Sequence, residues 1–270
     1  MDLAVNYSPQ IAHLIQTNQI QVDFLKTPPW PDMIAEARQY APITVHFELR
    51  AGSGLLHQTD WREIEQFLTL TGTRYVNLHL NAAVDDFPST NGGQVEPSAE
   101  QVAERLIQDT QAVVRHFGAG RVIVENIPYR RSETHKAAAS VDPQVISSVV
   151  SQTGCGLLLD ISHARIAAQA LEMPAWDYLA ALPVQSLREL HFTGIHDWNG
   201  YQQDHLSILE QDWPFLERTL AHIAAGEWGA AHMLAFEYGG IGPFFKEHTD
   251  SEVLRQQVPA LYQIVHTVNA

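Results

Sequence analysis

The sequence has a single cysteine, Cys155, among its 270 residues. No disulfide can therefore form within the chain, and the setting that we expect is a reducing cytoplasm. One thiol is also too few for a structural zinc site built on several thiolates. The first five residues, MDLAV, lack the basic start and the long apolar stretch of a secretory signal peptide, which agrees with a cytoplasmic location.

Basic residues are scarce as well. The 16 lysines and arginines face 31 aspartates and glutamates, which gives a formal net charge of -15. Such a surface repels phosphate backbones, so we expect no general nucleic-acid partner. Long hydrophobic runs are missing too, because no segment approaches the roughly 20 apolar residues that cross a bilayer. A locally positive pocket stays compatible with this charge, since bound metal ions would supply one.

The apolar pattern predicts eight strands that alternate with helices, without repeats, low-complexity tracts or linkers. The predicted strands are residues 3–6, 20–25, 43–49, 75–80, 122–125, 157–160, 187–192 and 233–237. The predicted helices are residues 9–17, 32–40, 60–70, 98–117, a segment from 142, 163–169, 176–181, 212–225 and 251–268. Two long connections, residues 81–97 and 193–208, are predicted to be loops of the lid or binding type.

Alternating strands and helices imply an α/β fold with a parallel sheet. Eight units of this average length predict closure into a single (β/α)₈ TIM barrel that spans residues 1–270. The alternative is an open doubly wound sheet. That fold would need a glycine-rich phosphate loop after the first strand, and the turn Asn6-Tyr7-Ser8 does not supply one.

Metal-capable side chains recur at the ends of six successive predicted strands, where barrel enzymes place their sites. These side chains are His46, His79, Glu125, Asp160, His191 and Glu237. Glu48 follows His46 on the same predicted strand face, because side chains alternate along a strand. A single strand histidine is explained as a hydrogen-bonded core residue. Buried carboxylates, however, need partners or metals, and the predicted strands offer almost no lysine or arginine. The set therefore predicts a metal site.

Two further candidates lie outside the strands. His163 follows Asp160 by three residues at a helix start, where a simple helix cap is the alternative interpretation. His205 follows Gln203 and Asp204 in the loop 193–208, where a solvated loop histidine is the alternative. Imidazole and carboxylate donors without thiolate indicate zinc, iron or manganese. Such ions activate water for hydrolysis or move protons in sugars, and iron activates dioxygen. Arg130 and Arg131 either grip an anionic substrate group or form a solvated basic face.

Several segments resemble one known superfamily over nearly the whole chain. They are the opening turn NYSP, the stretch VHFELRAGSG with its histidine and glycine loop, the strand ends VEN, GCGLLLD and LHFTG. Together they resemble the xylose-isomerase-like TIM-barrel superfamily, which includes endonuclease IV. Within it they are most similar to the multinuclear non-haem iron-dependent oxidative enzymes, whose members include the methanobactin-biosynthesis oxygenase.

This resemblance implies two or three iron ions that use dioxygen. It also implies a substrate such as a cysteine in a ribosomally made peptide, often delivered with a partner protein. Carried over by position, Glu125 would bridge ions, and the predicted catalytic residues are Glu125, Asp160, His191 and Glu237. The same comparison assigns the ions in three sets, namely Asp160 with His191 and Glu237, His46 with His79, and His163 with His205.

The sequence departs from the superfamily at one position. The superfamily has Asp-x-His in the loop after the seventh strand, and Gln203 stands where that aspartate is expected. Either Asp204 substitutes for it, or the third ion is weakened or absent.

Three enzymatic functions and one binding function are open at this point. The first is a metal-dependent oxidative enzyme that acts on a peptide or small molecule. The second is a divalent-metal sugar isomerase or epimerase, which a lysine or an extra histidine at the barrel mouth would favour; the sequence shows no well-placed lysine. The third is an endonuclease IV-like phosphodiesterase, which the charge of -15 opposes. The last is a binding subunit with a degenerate site.

Overall fold

The structure is a computed structural model, and it describes residues 1–88 and 95–267. The strands are β1 Asp2–Asn6, β2 Phe24–Thr27, β3 Ile43–Val45, β4 Arg50–Ala51, β5 Val76–Leu80, β6 Val122–Glu125, β7 Gly156–Asp160, β8 Leu187–Phe192, β9 Gly194–Trp198, β10 Tyr201–Leu206 and β11 Met233–Phe236. The helices are α1 Pro9–Gln16, α2 Pro31–Ala37, α3 Trp61–Thr71, α4 Ala99–Phe117, α5 Pro143–Thr153, α6 Ile161–Ala170, α7 Ala175–Ala181, α8 Trp213–Ala224, α9 Pro243–His248 and α10 Ser251–Thr267. Part of the predicted loop 81–97 and the end of the predicted helix 251–268 lie outside the described residues.

The second strand is displaced from its predicted position. It was expected at residues 20–25, but β2 begins only at Phe24 and pairs there with Ala4 of β1. The reason is Asp23, whose carboxylate accepts a hydrogen bond from the Leu3 amide, and whose own amide donates to the Leu3 carbonyl. The displacement places Lys26 inside a strand.

Only residues 43–45 of the third predicted strand, 43–49, form a strand, β3, and the next strand, β4, begins at Arg50. Beyond the break, the side chain of Asn77 accepts a hydrogen bond from the Phe47 amide and donates to the Phe47 carbonyl. A side chain thus satisfies backbone groups that a strand neighbour would otherwise satisfy. The prediction of one continuous strand over residues 43–49 was wrong for this reason.

The segment 193–208 was predicted to be a loop, but it forms an antiparallel hairpin of β9 and β10. Its turn is Asn199-Gly200, and both residues have positive φ angles, 56° and 84°. Asn-Gly with two left-handed residues is the preferred two-residue hairpin turn because its twist matches that of the strands. The register shifts between Gln203 and Leu206, which marks a bulge. The short helix α9 was not predicted either.

The chain divides into two compact units. The first comprises Met1–His46, Gln66–Arg74 and Glu189–Ala270. Its strands lie in the order β3-β2-β1-β11-β8, and every neighbouring pair is parallel. The side chains at its centre are apolar and fully buried, among them Leu3, Val5, Leu25, Leu234 and Phe236.

The second unit comprises Phe47–Glu65 and Tyr75–Arg188. Its strands lie in the order β7-β6-β5-β4, again all parallel. In this register His79 of β5 stands beside Glu125 of β6. The predicted parallel α/β architecture is confirmed within each unit. Barrel closure and the single domain over residues 1–270 stay predictions. Among the described residues, no helix has the length and hydropathy needed to cross a membrane.

Helix α4 begins with a reciprocal cap. Ser98 Oγ accepts a hydrogen bond from the Gln101 amide at 3.2 Å, and Gln101 Oε1 accepts one from the Ser98 amide at 2.9 Å. Because Ser98→Ala removes a partner of a helix-end amide, we expect it to lower the free energy of unfolding by about 1 kcal/mol. Denaturant unfolding measures this change. The control is Ser148→Ala in the middle of α5, expected to be neutral within about 0.5 kcal/mol. Equal effects of the two substitutions would contradict the capping role.

Candidate metal centre

The second unit brings four predicted ligands together, and we call them the Glu125 group: His79, Glu125, Asp160 and His163. His79 is the next-to-last residue of β5, while Glu125 and Asp160 end β6 and β7. His79 Nε2 lies 3.4 Å from Glu125 Oε2, and His163 Nδ1 lies 3.5 Å from Glu125 Oε1. The two oxygens of one carboxylate therefore face two different imidazoles.

Asp160 both caps a helix and faces an imidazole. Its Oδ1 accepts a hydrogen bond from the His163 amide at 2.7 Å, which begins α6, while Oδ2 lies 3.5 Å from His163 Nδ1. The two interpretations weighed from the sequence, helix cap and ligand, therefore do not exclude each other. The cap occupies Oδ1 of Asp160 and leaves Oδ2 facing the imidazole of His163.

Asn126 is a positioning residue that the sequence did not identify. Its side chain accepts a hydrogen bond from the Asp160 amide at 3.0 Å and donates to the Asp160 carbonyl at 2.9 Å. Its backbone carbonyl lies 3.0 Å from His163 Nδ1. Asn126 thus fixes the end of β7 and orients the imidazole. No local pattern of the sequence revealed this role, because its partner Asp160 lies 34 residues further along the chain.

The chemistry of the Glu125 group suits a divalent cation. Glu125 and Asp160 are each 1% exposed, and buried negative charges need a compensating positive charge. Imidazole nitrogens and carboxylate oxygens are donors for zinc, iron and manganese. Cys155, in the same unit, supplies no thiolate, because burial raises the pKa of its thiol to about 11.

The first unit holds a second set of predicted ligands, which we call the Glu237 group: His46, His191 and Glu237. Each offers one ligand atom, and these atoms lie within 4.8 Å of one another. His191, on β8, is fully buried, and its Nδ1 lies 3.2 Å from Glu237 Oε1. The ring centroids of His46 and His191 are 5.2 Å apart. Two imidazoles and a buried carboxylate again suit a divalent cation.

Lys26 lies against the Glu237 group, although the sequence had shown no well-placed lysine. It is 5% exposed, its Nζ donates a hydrogen bond to Glu237 Oε1, and the same Nζ lies 3.2 Å from His191 Nε2. The expectation failed because the second strand was placed at residues 20–25, which left Lys26 in a loop. No local pattern revealed its role either, because its partner Glu237 lies far along the chain.

Glu189 is a further buried carboxylate beside His191. Its Oε1 lies 3.2 Å from His191 Nε2, and its Oε2 lies 3.7 Å from His232 Nε2. Burial acts to raise the pKa of Glu189. The hydrogen bond with His191 and the charges of His191, His232 and Lys26 outweigh burial, so its pKa lies below the ordinary value. Glu189 and His191 are two residues apart on β8 and therefore share a strand face.

His205 occupies the bulge of β10 with a left-handed φ of 60°. Its amide donates a hydrogen bond to Thr193 Oγ1, and its Nδ1 lies 3.0 Å from the Glu237 carbonyl. A carbonyl partner favours a proton on Nδ1 and a lone pair on Nε2. Beside it, Asp204 is 5% exposed and accepts a hydrogen bond from the Gln203 side chain. Asp204 is thus the buried carboxylate of this segment.

One other expectation needs correction. Glu48 is exposed, because it lies in the irregular stretch between β3 and β4 and not on a strand. Arg130 lies 3.6 Å from Glu133, and Arg131 Nη1 lies 2.9 Å from Glu172. Arg131 fits the interpretation of a solvated basic face, because its side chain is 61% exposed, whereas the side chain of Arg130 is only 11% exposed and does not fit it.

Comparisons with known proteins identify the class of fold. A xylose isomerase domain containing protein from Salmonella typhimurium LT2 matches 96% of this chain and 95% of its own, with a TM-score of 0.57 and 12% identity. D-psicose 3-epimerase with D-tagatose from Clostridium cellulolyticum H10 matches 99% of each chain, with a TM-score of 0.58 and 14% identity. These likenesses show an α/β fold of the xylose-isomerase type, and the clustered histidines and carboxylates described above are residues that could hold a metal ion.

A comparison with protein families gives a more specific assignment than the fold does. Residues 11–227 match the model of the RiPP precursor modification enzyme family MbnB/TglH/ChrH, and the chain belongs to this family. A UPF0276 protein of Acaryochloris marina is 24% identical over 80% of this chain. The chain spans 74%, 58% and 66% of the length of three such UPF0276 relatives. The superfamily suspected from the sequence is thereby confirmed.

Proposed function

We propose that this protein is a multinuclear non-haem iron enzyme that uses dioxygen to modify a ribosomally made peptide. The observation that carries the proposal is the position of Glu125, whose two oxygens face His79 and His163 separately. A carboxylate so placed is able to bridge two ions. The family description, which names precursor modification, supports a peptide as the substrate.

The ligands are proposed for each unit by itself. In the second unit the Glu125 group would hold iron, with Asn126 orienting Asp160 and His163. In the first unit the Glu237 group would hold iron, and His205 Nε2 and Asp204 are further donors. Bound iron would supply the binding and activation of dioxygen. The role of the protein would be to hold these donors in place, so that bound ions compensate the charge of the buried carboxylates.

A partner protein that delivers the peptide is part of the proposal. It rests on the resemblance of motifs such as VHFELRAGSG to the oxidative enzymes described above. A peptide that reaches buried ligands needs its reactive residue presented in an extended and accessible form. A separate delivery protein would supply that presentation.

The test reconstitutes apo protein without oxygen, using Fe²⁺, Mn²⁺ or Zn²⁺ in separate samples. Each sample then receives air and a candidate precursor peptide with its delivery protein. We expect dioxygen uptake and a mass change of the peptide in the Fe²⁺ sample but not in the Mn²⁺ or Zn²⁺ samples. The dioxygen uptake should also require the peptide. Peptide modification with Zn²⁺, or none with any metal, would contradict the proposal.

A sugar isomerase or epimerase is the second candidate, and Lys26 is the observation that favours it. An ammonium group beside candidate metal ligands is suited to polarise a hydroxy-ketone oxygen. The epimerase among the structural neighbours agrees with this chemistry. Incubation of ketoses with the Mn²⁺-loaded protein in deuterated water separates the two functions. Deuterium on a sugar carbon without dioxygen uptake would favour the isomerase.

A further inference from the structure

Lys26 acts as the counter-ion of the Glu237 group in the first unit. Its ammonium donates to Glu237 Oε1, and it lies 3.2 Å from His191 Nε2 and 3.4 Å from His191 Nδ1. Lys26 is 5% exposed and His191 is fully buried. A lysine is almost never buried unless it is paired, so this position is determined by the charges around it.

The ammonium and a divalent cation would require the same atoms. Glu237 Oε1 is the oxygen that accepts from Lys26, and it is also the oxygen that lies 3.2 Å from His191 Nδ1. A metal bound to Glu237 and His191 would lie about 2.0–2.2 Å from each donor atom. The ammonium would then stand within a few ångströms of a doubly charged ion, in surroundings where charges are poorly screened.

We propose that Lys26 is an internal competitor for divalent metal at His46, His191 and Glu237. The inference rests on the proposed function, because it takes these residues to be metal ligands. Metal binds there only when the ammonium moves away, so the Glu237 group binds metal more weakly than its ligands alone would. At limiting metal the Glu237 group therefore stays occupied by Lys26.

The test compares metal binding by wild-type protein, Lys26→Met and Lys26→Arg. Equilibrium dialysis of the full chain against Fe²⁺ without oxygen, followed by elemental analysis, gives the number of ions and their affinities. We expect Lys26→Met to bind one ion at least about tenfold more tightly than wild type does, a difference expressed as a ratio of dissociation constants. Lys26→Arg keeps the positive charge and is expected to keep the weak binding. Adding Glu237→Gln to Lys26→Met should abolish the gain.

Thermal unfolding supplies a second measurement. Without metal, Lys26→Met leaves Glu237 buried without its cation, so its Tm should lie below that of wild type. Saturating Fe²⁺ should raise the Tm of Lys26→Met by more degrees than it raises that of wild type. Lys26→Gln, which retains a hydrogen-bond donor, repeats both measurements if the methionine variant does not fold.

The outcomes separate this inference from the function on which it rests. If wild type binds iron, and Lys26→Met binds it with the same affinity and shows the same rise in Tm, the inference is overturned and the proposed function stands. Tighter binding by Lys26→Arg than by wild type also overturns the inference, because the charge would then not be the cause. Absence of iron from wild type and from both variants overturns the inference and the proposed function together.

Discussion

Replacing Glu125 by glutamine is expected to remove at least one metal ion per chain and to lower activity more than about a hundredfold. Loss of a residue that only orients a ligand costs roughly 10–100-fold, and Glu125 is proposed as a ligand itself. Glutamine keeps the size of the side chain and removes its charge. Because one carboxylate faces both His79 and His163, a single substitution should affect both imidazole sites.

The matched control for this prediction is Glu172→Gln. Glu172 faces Arg131 on the surface of the same unit, so its replacement should leave metal content and activity unchanged. Elemental analysis of dialysed protein, with peptide turnover measured in parallel, gives both quantities. Full metal retention by Glu125→Gln would show that Glu125 does not hold an ion. An equal loss in Glu172→Gln would show that the effect is one of net charge.

The replacement of Gly194 by alanine is expected to destabilise the first unit by about 3 kcal/mol or more, at the upper end of overpacking effects. A Cβ at Gly194 would lie 1.7 Å from the Ser207 carbonyl oxygen and 2.9 Å from the Ile208 Cα. Both are backbone atoms, so no side-chain rotation relieves the overlap. The hairpin of β9 and β10 would have to shift, and His205 would shift with it.

Denaturant unfolding measures this loss, and Gly120→Ala is the control. No heavy atom lies within 4 Å of a Cβ built at Gly120, so we expect a change within about 0.5 kcal/mol. A Gly194→Ala variant as stable as the control would mean that β9 and β10 do not pack as described. A variant that folds with reduced metal content would show that the hairpin positions His205.

Two strands were predicted with both of their end residues correct, and in each the local sequence was enough to determine the bounds. Residues 122–125 and 187–192 were predicted with the bounds that β6 and β8 have. Residues 122–124 form an apolar run, and Leu187, Leu190 and Phe192 supply the apolar positions of the second segment. The second strand failed because Ile20, Val22 and Phe24 alternate like a strand. The hydrogen bonds of Asp23 to Leu3, which no local pattern reveals, determine where pairing begins.

The residues of the candidate site likewise divide into those that the local sequence reveals and those that it does not. Glu125, Asp160 and His191 could be located because each ends a buried strand or lies near its end, which is where barrel enzymes place their site residues. Lys26 and Asn126 could not, because their roles depend on partners far along the chain, Glu237 and Asp160. The hairpin is a different kind of failure. Its Asn-Gly turn was visible in the sequence, but the polar residues around it were interpreted as a loop.

The most direct test of the central claim is the metal content per chain. Protein purified without chelator or added metal would be analysed by plasma mass spectrometry. We predict two or more iron ions per chain, with at most traces of zinc and manganese. Zinc or manganese in place of iron would contradict the oxidative function and favour isomerisation or hydrolysis. Protein without any metal would contradict the metal centre itself.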